Sequence, residues 1–402
     1  MMRPKSIGSV PAVAVFADDL SGAAEVASAF LDRSAPVSLV LGAAEAREPG
    51  GVVIADLDTR SMSPGDAART MRHALAGIPS GMLVVKKIDS LQRGNIGAEV
   101  GILAEGGPVV VAAGLPALDR TVRGGVVHIG ATPLHAAGVW SAESTTPPES
   151  IAALFPGRPT RCVHRGPDVE QALARAASDG AIAICDVETD ADLDSIVLAC
   201  RALPGVRLVG TSALAAAVAR TLPRRDVPAP AITHPESVLT VVGTAEPVAV
   251  QQVTSLVADG ARHVPVDART LLLGDVDTAP LRRALDTGHA VVTVAGDVDP
   301  SNARMLSAAL GRLVAALQND RRSDLVLTGG ETARAVVDAL AITSLRPVHE
   351  VHHGAVASVA SDGRRVVTSP AASATPPASP RSRPTCAAIS RPPTLPHSED
   401  PT

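Results

Sequence analysis

The stretch that decides the fold is Val13-Ala14-Val15-Phe16-Ala17-Asp18-Asp19-Leu20-Ser21-Gly22-Ala23-Ala24. Residues 13–16 form a short apolar run of the kind buried on both faces of a sheet. Asp18 and Asp19 end it, and residues 22–33 read as a helix. A strand that ends in charge and turns straight into a helix opens an α/β unit. The pattern then recurs. Residues 37–41, 52–55, 83–87, 109–112 and 182–185 read as strands, and residues 64–76, 171–178 and 192–202 as helices. A second unit of the same kind starts near Val238 and runs past Leu340.

Between the units, residues 222–236 hold four prolines and little periodicity, so they read as a linker. From Ser369 onward lie nine of the 33 prolines and almost no apolar pattern, which predicts a disordered tail. The expectation is two α/β domains with mainly parallel sheets and an active site in the cleft between them. The boundaries are residues 1–221, a linker at 222–236, residues 237–368, and a tail at 369–402.

Composition excludes several functions. Lysine occurs only at Lys5, Lys86 and Lys87, and none follows a glycine, so there is no Walker loop. The net charge is −5 and only Phe16, Phe30, Trp140 and Phe155 are aromatic, which argues against nucleic acid as a partner. No apolar run reaches membrane-spanning length. Arg3 and Lys5 precede an apolar run, but Pro11 and the aspartates at 18 and 19 do not suit a secretion signal. Cys162, Cys185, Cys200 and Cys386 show no paired spacing, and a reduced cytoplasmic setting is expected. His349-Glu350-Val351-His352-His353 has zinc-site spacing, but Pro347 and Gly354 favour a strand or turn over the helix that chemistry needs. No metal-ligating residue is assigned.

In open α/β sheets, ligands bind beyond the carboxyl ends of the strands. Here those ends carry Asp18-Asp19, then Asp56-Leu57-Asp58-Thr59-Arg60, then Lys87-Ile88-Asp89-Ser90 with Arg93 and Asn95 beyond. Cations beside carboxylates suit a small anion bearing hydroxyls, and an aspartate can take a proton from a hydroxyl. Each aspartate alone could equally be a cap or turn residue; Asp19 or Ser21 could cap the first helix. The Asp56–Thr59 run also nearly matches a phosphatase nucleophile pattern, with the threonine one place early. In the second unit, Gly243-Thr244 and Gly329-Gly330 follow strands, and glycines before a helix bring backbone N–H groups to a phosphate.

These motifs, in this order, resemble the four-carbon acid sugar kinase family. Asp18-Asp19-Leu20-Ser21-Gly22-Ala23 resembles its D-D-L-T-G-A turn. Residues 56–61 resemble D-T-x-T-R, and Lys87 to Asn95 resembles K-I-D-S-T-L-R-G-N, with Leu91 and Gln92 departing from it. Pro116 to Thr121 resembles the family's proline-to-arginine segment, and Thr328-Gly329-Gly330-Glu331-Thr332-Ala333 matches T-G-G-E-T-A. The resemblance implies ATP with Mg2+, a sugar-acid substrate, and phosphoryl transfer to one of its hydroxyls. It implies Asp18, Asp19, Lys87 and Asp89 as the catalytic group, one aspartate being the base. Arg60, Ser90, Arg93, Asn95 and Arg120 would bind the acid. Gly243, Thr244, Gly329, Gly330, Glu331 and Thr332 would hold the nucleotide.

After Val366-Val367-Thr368 the family continues as K-x-G-x-F-G-D, whereas this chain reads Ser369-Pro370-Ala371-Ala372-Ser373-Ala374-Thr375. A codon run for T-K-P-G-S-F-G-D that loses one nucleotide in its lysine codon translates as T-S-P-A-A-S-A-T. The tail is therefore read as a frameshifted version of that last motif. The alternative reading of function is a sugar-acid-binding remnant with an impaired ATP site.

Overall fold

The computed structural model describes residues 13–33, 35–42, 51–140, 145–225, 236–243, 247–296, 302–320, 322–352 and 354–369. Strands β1 (Val13–Ala17), β2 (Val37–Leu41), β3 (Val52–Asp56), β4 (Leu83–Lys87) and β5 (Val109–Ala112) begin the chain. A small antiparallel sheet follows, from β6 (Arg120–Arg123), β7 (Val126–Ile129) and β8 (Thr132–Pro133). Then come β9 (Thr160–Val163), β10 (Ile182–Cys185) and β11 (Arg207–Gly210). The helices of this half are α1 (Leu20–Ser28), α2 (Pro64–Ala76), α3 (Ile96–Leu103), α4 (Val169–Ser178), α5 (Asp190–Cys200) and α6 (Ser212–Arg220).

The second half holds β12 (Val238–Val242), β13 (Arg262–Asp267), β14 (His289–Ala295), β15 (Asp324–Thr328), β16 (Ser344–His352), β17 (Ala355–Ala360) and β18 (Arg365–Ser369). Its helices are α7 (Pro247–Ala258), α8 (Ala268–Leu273), α9 (Ala279–Asp286), α10 (Ala303–Asp320) and α11 (Gly330–Ala339).

The expected alternation is present, and its local causes are visible. Strands β1, β3, β5, β10 and β12 are buried at every residue, as parallel strands covered on both faces must be. Asp19 caps α1 by accepting from the Gly22 amide at 3.0 Å. Ser63 caps α2, with Pro64 at its start. Helix α1 is shorter than residues 22–33, ending at Ser28. Strands β9 and β11 and helices α3 and α6 carry weak patterns and were not among the expected elements.

The sheets of the two halves are continuous. One sheet of 15 strands runs β13-β14-β12-β15-β18-β17-β16-β2-β3-β1-β4-β11-β5-β10-β9. Both halves are parallel inside, but β16 and β17 run antiparallel, and β16 pairs antiparallel with β2. That joint has two residue pairs, Ser344 with Val40 and Leu345 with Leu39. His349, Glu350, Val351 and His352 lie in β16, as a strand rather than a zinc-binding helix; His353 is outside the described residues.

The tail boundary needs one correction. Ser369, expected to start it, is the last residue of β18 and pairs with Thr328, because its backbone completes the ladder with β15. Residues 370–402 lie outside the described residues. Of the expected linker, Leu222 is buried and Arg224 bridges to Arg33, so its first residues pack on the first half; residues 226–235 lie outside the described residues. Among the described residues no helix is long and apolar enough to cross a membrane.

Candidate active site

Strand β1 lies between β3 and β4, so the chain leaves it in opposite directions and a crevice opens at its carboxyl end. The turns after these three strands place Asp18, Asp19, Arg60, Asp89 and Arg93 on one rim. Arg60 is the hub. Its Nε donates to Asp18 Oδ2 at 2.8 Å and its Nη1 to Asp19 Oδ2 at 2.9 Å. Its Nη2 lies 3.8 Å from Asp89 Oδ1. Arg93 forks onto Asp89, with Nε 2.8 Å from Oδ2 and Nη2 2.9 Å from Oδ1.

Lys87 reaches the same rim, its Nζ 3.8 Å from Asp19 Oδ1. Gly22 makes the room, since a β-carbon there would collide with the Lys87 ammonium and the Asp19 carboxylate. Arg120 comes in from β6 and donates to Ser90 Oγ. Asn95 has a different place: its amide nitrogen donates to the carbonyls of Thr59 at 2.8 Å and Met62 at 2.9 Å. That stitches the loop after β3 to the start of α3.

Electrostatics set the protonation states. Burial opposes ionisation of Asp18, but Arg60, Lys87 and Lys86 outweigh it and hold the carboxyl below its usual range. The same opposition at Asp89 is overcome by Arg93, Arg60 and Lys87, which hold it well below that range. Burial would strip Lys87 of its proton, yet Asp19, Asp18 and Glu25 raise its pKa and keep it charged. The rim is thus a set of fixed charges of both signs.

Among the described residues, three buried atoms of this rim have no hydrogen-bond partner: Asp18 Oδ1, Ser21 Oγ and Arg60 Nη2. They supply an acceptor, a hydroxyl and a cationic donor. Buried polar atoms are normally paired, so the three mark unused capacity for a ligand carrying both hydroxyls and a carboxylate.

Of the nucleotide candidates, Gly330 meets this rim. Gly329 follows β15 at φ 93°, a left-handed conformation that suits glycine, and among the described residues no side chain caps α11 behind it. The first-turn amides of α11 are therefore left without a side-chain cap, as a helix N-terminus that binds an anion must be. Gly330 lies against Asp19, where a β-carbon would approach the carboxylate oxygen to 2.5 Å. Gly243 follows β12 and lies against the Thr332 hydroxyl, and Glu331 is exposed in the first turn of α11. Thr244 lies outside the described residues.

Sequence reading missed the support beneath the rim. Neighbouring residues of a strand face opposite ways, so Lys86 points away from Lys87. It is fully buried and pairs with the buried Glu99 of α3 at 2.8 Å, and Thr59 donates to the same Glu99 oxygen at 2.7 Å. A charged residue in a fully buried strand was the available sign. Gln92 is also buried, at φ 63°, with both amide atoms unpartnered. Arg334 and Arg304, which cross from the second half to Asp56 and Asp58, gave no sign in the sequence.

Two family models match most of the chain. The model of a sugar-binding N-terminal domain matches residues 13–218, and that of a nucleotide-binding C-terminal domain matches residues 239–370. A D-threonate kinase of Cupriavidus necator is 32% identical over 376 residues, covering 85% of this chain and 88% of the relative. A 3-oxo-tetronate kinase of the same organism is 26% identical over 411 aligned positions, covering 90% and 94%. A solved structure of a Haemophilus influenzae protein superposes with a TM-score of 0.67 at 18% identity, covering 90% of this chain and 96% of that one, which speaks to the fold alone.

Proposed function

The chain belongs to the four-carbon acid sugar kinase family, and from that membership we propose that it transfers the γ-phosphoryl group of ATP to a hydroxyl of a tetronate or 3-oxo-tetronate. The observation that carries this reading is the set Asp18 Oδ1, Ser21 Oγ and Arg60 Nη2, which has no hydrogen-bond partner among the described residues. A four-carbon sugar acid offers hydroxyl donors to the carboxylate and a carboxylate to the guanidinium. Lys87 and Arg120 add cationic donors, and Ser90 is oriented by Arg120.

Among the three aspartates we assign the base role to Asp19. Asp19 lies against Gly330, between the acid rim and the first turn of α11. A hydroxyl held there would lose its proton to Asp19 as its oxygen meets the phosphoryl group. Lys87, kept protonated, would balance the charge that develops.

The α11 amides with Gly329 and Gly330 suit the phosphates, and Gly243, Thr244, Glu331 and Thr332 are proposed around the nucleotide. Among the described residues no group of three His, Cys, Asp or Glu side chains could hold a metal ion. Mg2+ is therefore proposed to arrive on the triphosphate, whose charge it neutralises. Cys162, Cys185 and Cys200 are free, and a cytoplasmic setting is proposed with them.

The test is ADP release with ATP-Mg2+ against a panel of four-carbon acids led by D-threonate, the substrate in the name of the 32%-identical relative. Release with at least one acid is expected, and none across the panel overturns the kinase reading. One observation favours a second reading, an acid-binding remnant: the nucleotide-binding match stops at residue 370, where the expected lysine and glycine motif is missing. Thermal stabilisation by an acid but not by ATP-Mg2+ would support it. Resequencing the gene at codon 369 decides whether the tail is frameshifted.

A further inference from the structure

Helix α11 begins at the phosphate-facing turn, and one turn later it carries Arg334. Residues four apart share a helix face, so Gly330 and Arg334 look the same way. Gly330 lies against Asp19. Arg334 Nη1 lies 3.0 Å from Asp56 Oδ2 and 3.3 Å from the Asp56 carbonyl oxygen. Asp56 is the last residue of β3, beside β1, and it is fully buried. The guanidinium itself is mostly buried and is steadied by Asp338, one turn further along α11, at 2.9 Å.

One helix of the second half is therefore held on the first half at two points along one face. Asp19 meets the glycine at its start, and Asp56 meets the arginine one turn on. A close approach to glycine alone would let the helix slide or tilt. The arginine's bonds to the carboxyl and carbonyl oxygens of Asp56 are directional, and leaving a guanidinium alone in the interior is strongly unfavourable, so this contact fixes register more than it adds stability.

We propose that the Arg334–Asp56 pair is a positioning device: it seats α11 on the acid-binding rim and so sets the distance between the phosphate-facing turn and Asp19. Neither residue touches the reacting atoms. Arg304 of α10 adds contacts to Asp58 at 3.0 Å and Ser61 at 2.9 Å nearby. That arginine is exposed and its contribution is small. The consequence for turnover rests on the kinase reading; the seating of α11 does not.

Two substitutions test it on the full chain. Arg334→Met keeps an unbranched apolar stem and removes the charge, and Arg334→Lys keeps the charge. Deuterium exchange of α1 and α11 amides reads the seating without any substrate. Arg334→Met should speed exchange in both helices and leave β5 and β10 unchanged, with Arg334→Lys in between. In ADP release, Arg334→Met should lower kcat by about 100-fold, the scale of a small misplacement of reacting groups, with the KM for the acid within about twofold. Arg334→Lys should recover part of the loss. Unchanged exchange at α1 and α11 overturns the inference whatever the activity. So does a fall in kcat accompanied by an equal weakening of the acid, which would mean general damage. Altered exchange in a chain whose unsubstituted form turns over no acid would sink the kinase reading and leave the seating in place.

Discussion

At the scale of single residues, the charged rim gives the sharpest expectations. Lys87 is nearly buried and stays protonated through Asp19 and Asp18. Lys87→Met should lower kcat by about 100-fold or more, as loss of one preorganised charge does; wild-type turnover in the variant would remove Lys87 from the site. Asp56 titrates differently. Burial pushes its carboxyl up to about 7, against the pull of Arg334 and with Asp19 and Asp58 raising it further. Its unfolded value is the ordinary 3.8. Between those values the folded chain holds a proton that the unfolded chain has released, so stability falls as pH rises through that window. The stability of Asp56→Asn relative to wild type should therefore grow from pH 4 to about pH 7 and then level off. Denaturant midpoints across that range check it, and a flat difference contradicts it. The motif aspartates, Arg60 and Lys87 were legible because they follow strand patterns directly. The partners of Lys86 and Asp56 were not, since Glu99 and Arg334 sit on other elements and no local spacing links them.

At the scale of elements, α11 is the part whose placement matters most. Its first residue has no room for a side chain beside Asp19. Gly330→Ala should displace the helix or the carboxylate, at a cost of about 1–3 kcal/mol of overpacking. Thermal shift should then show weaker stabilisation by ATP-Mg2+ while stabilisation by the acid persists. Equal stabilisation by nucleotide in the variant would mean that α11 does not hold the phosphates. The helix itself was readable, because a strand, two glycines and an amphipathic run lie in sequence from Asp324 to Leu340. Short elements such as β9 and β11 were not, because four residues give too few periods to tell a strand from a loop.

At the scale of the whole molecule, the two units are one sheet joined by two residue pairs between β2 and β16. Leu39 and Leu345 are both buried at that joint. Leu345→Ala should cost about 2–5 kcal/mol, as truncations of buried leucine do, and should speed amide exchange in β2 and β16 together. Exchange that rises in β16 alone would mean that the halves are held by helix packing and not by the sheet. The strand–helix alternation of both units, the acidic and basic turns at the carboxyl ends of β1, β3 and β4, and the glycine turn before α11 are all written locally in the chain. Each depends on neighbours within a few residues, through side-chain periodicity, turn chemistry and capping. That β16 closes the two sheets into one, that Lys86 meets Glu99 while Lys87 meets Asp19, and that Asp56 meets an arginine 278 positions away became visible only in three dimensions. Those pairings follow from how the strands are ordered in space, and buried charges must find partners there whatever their distance along the chain.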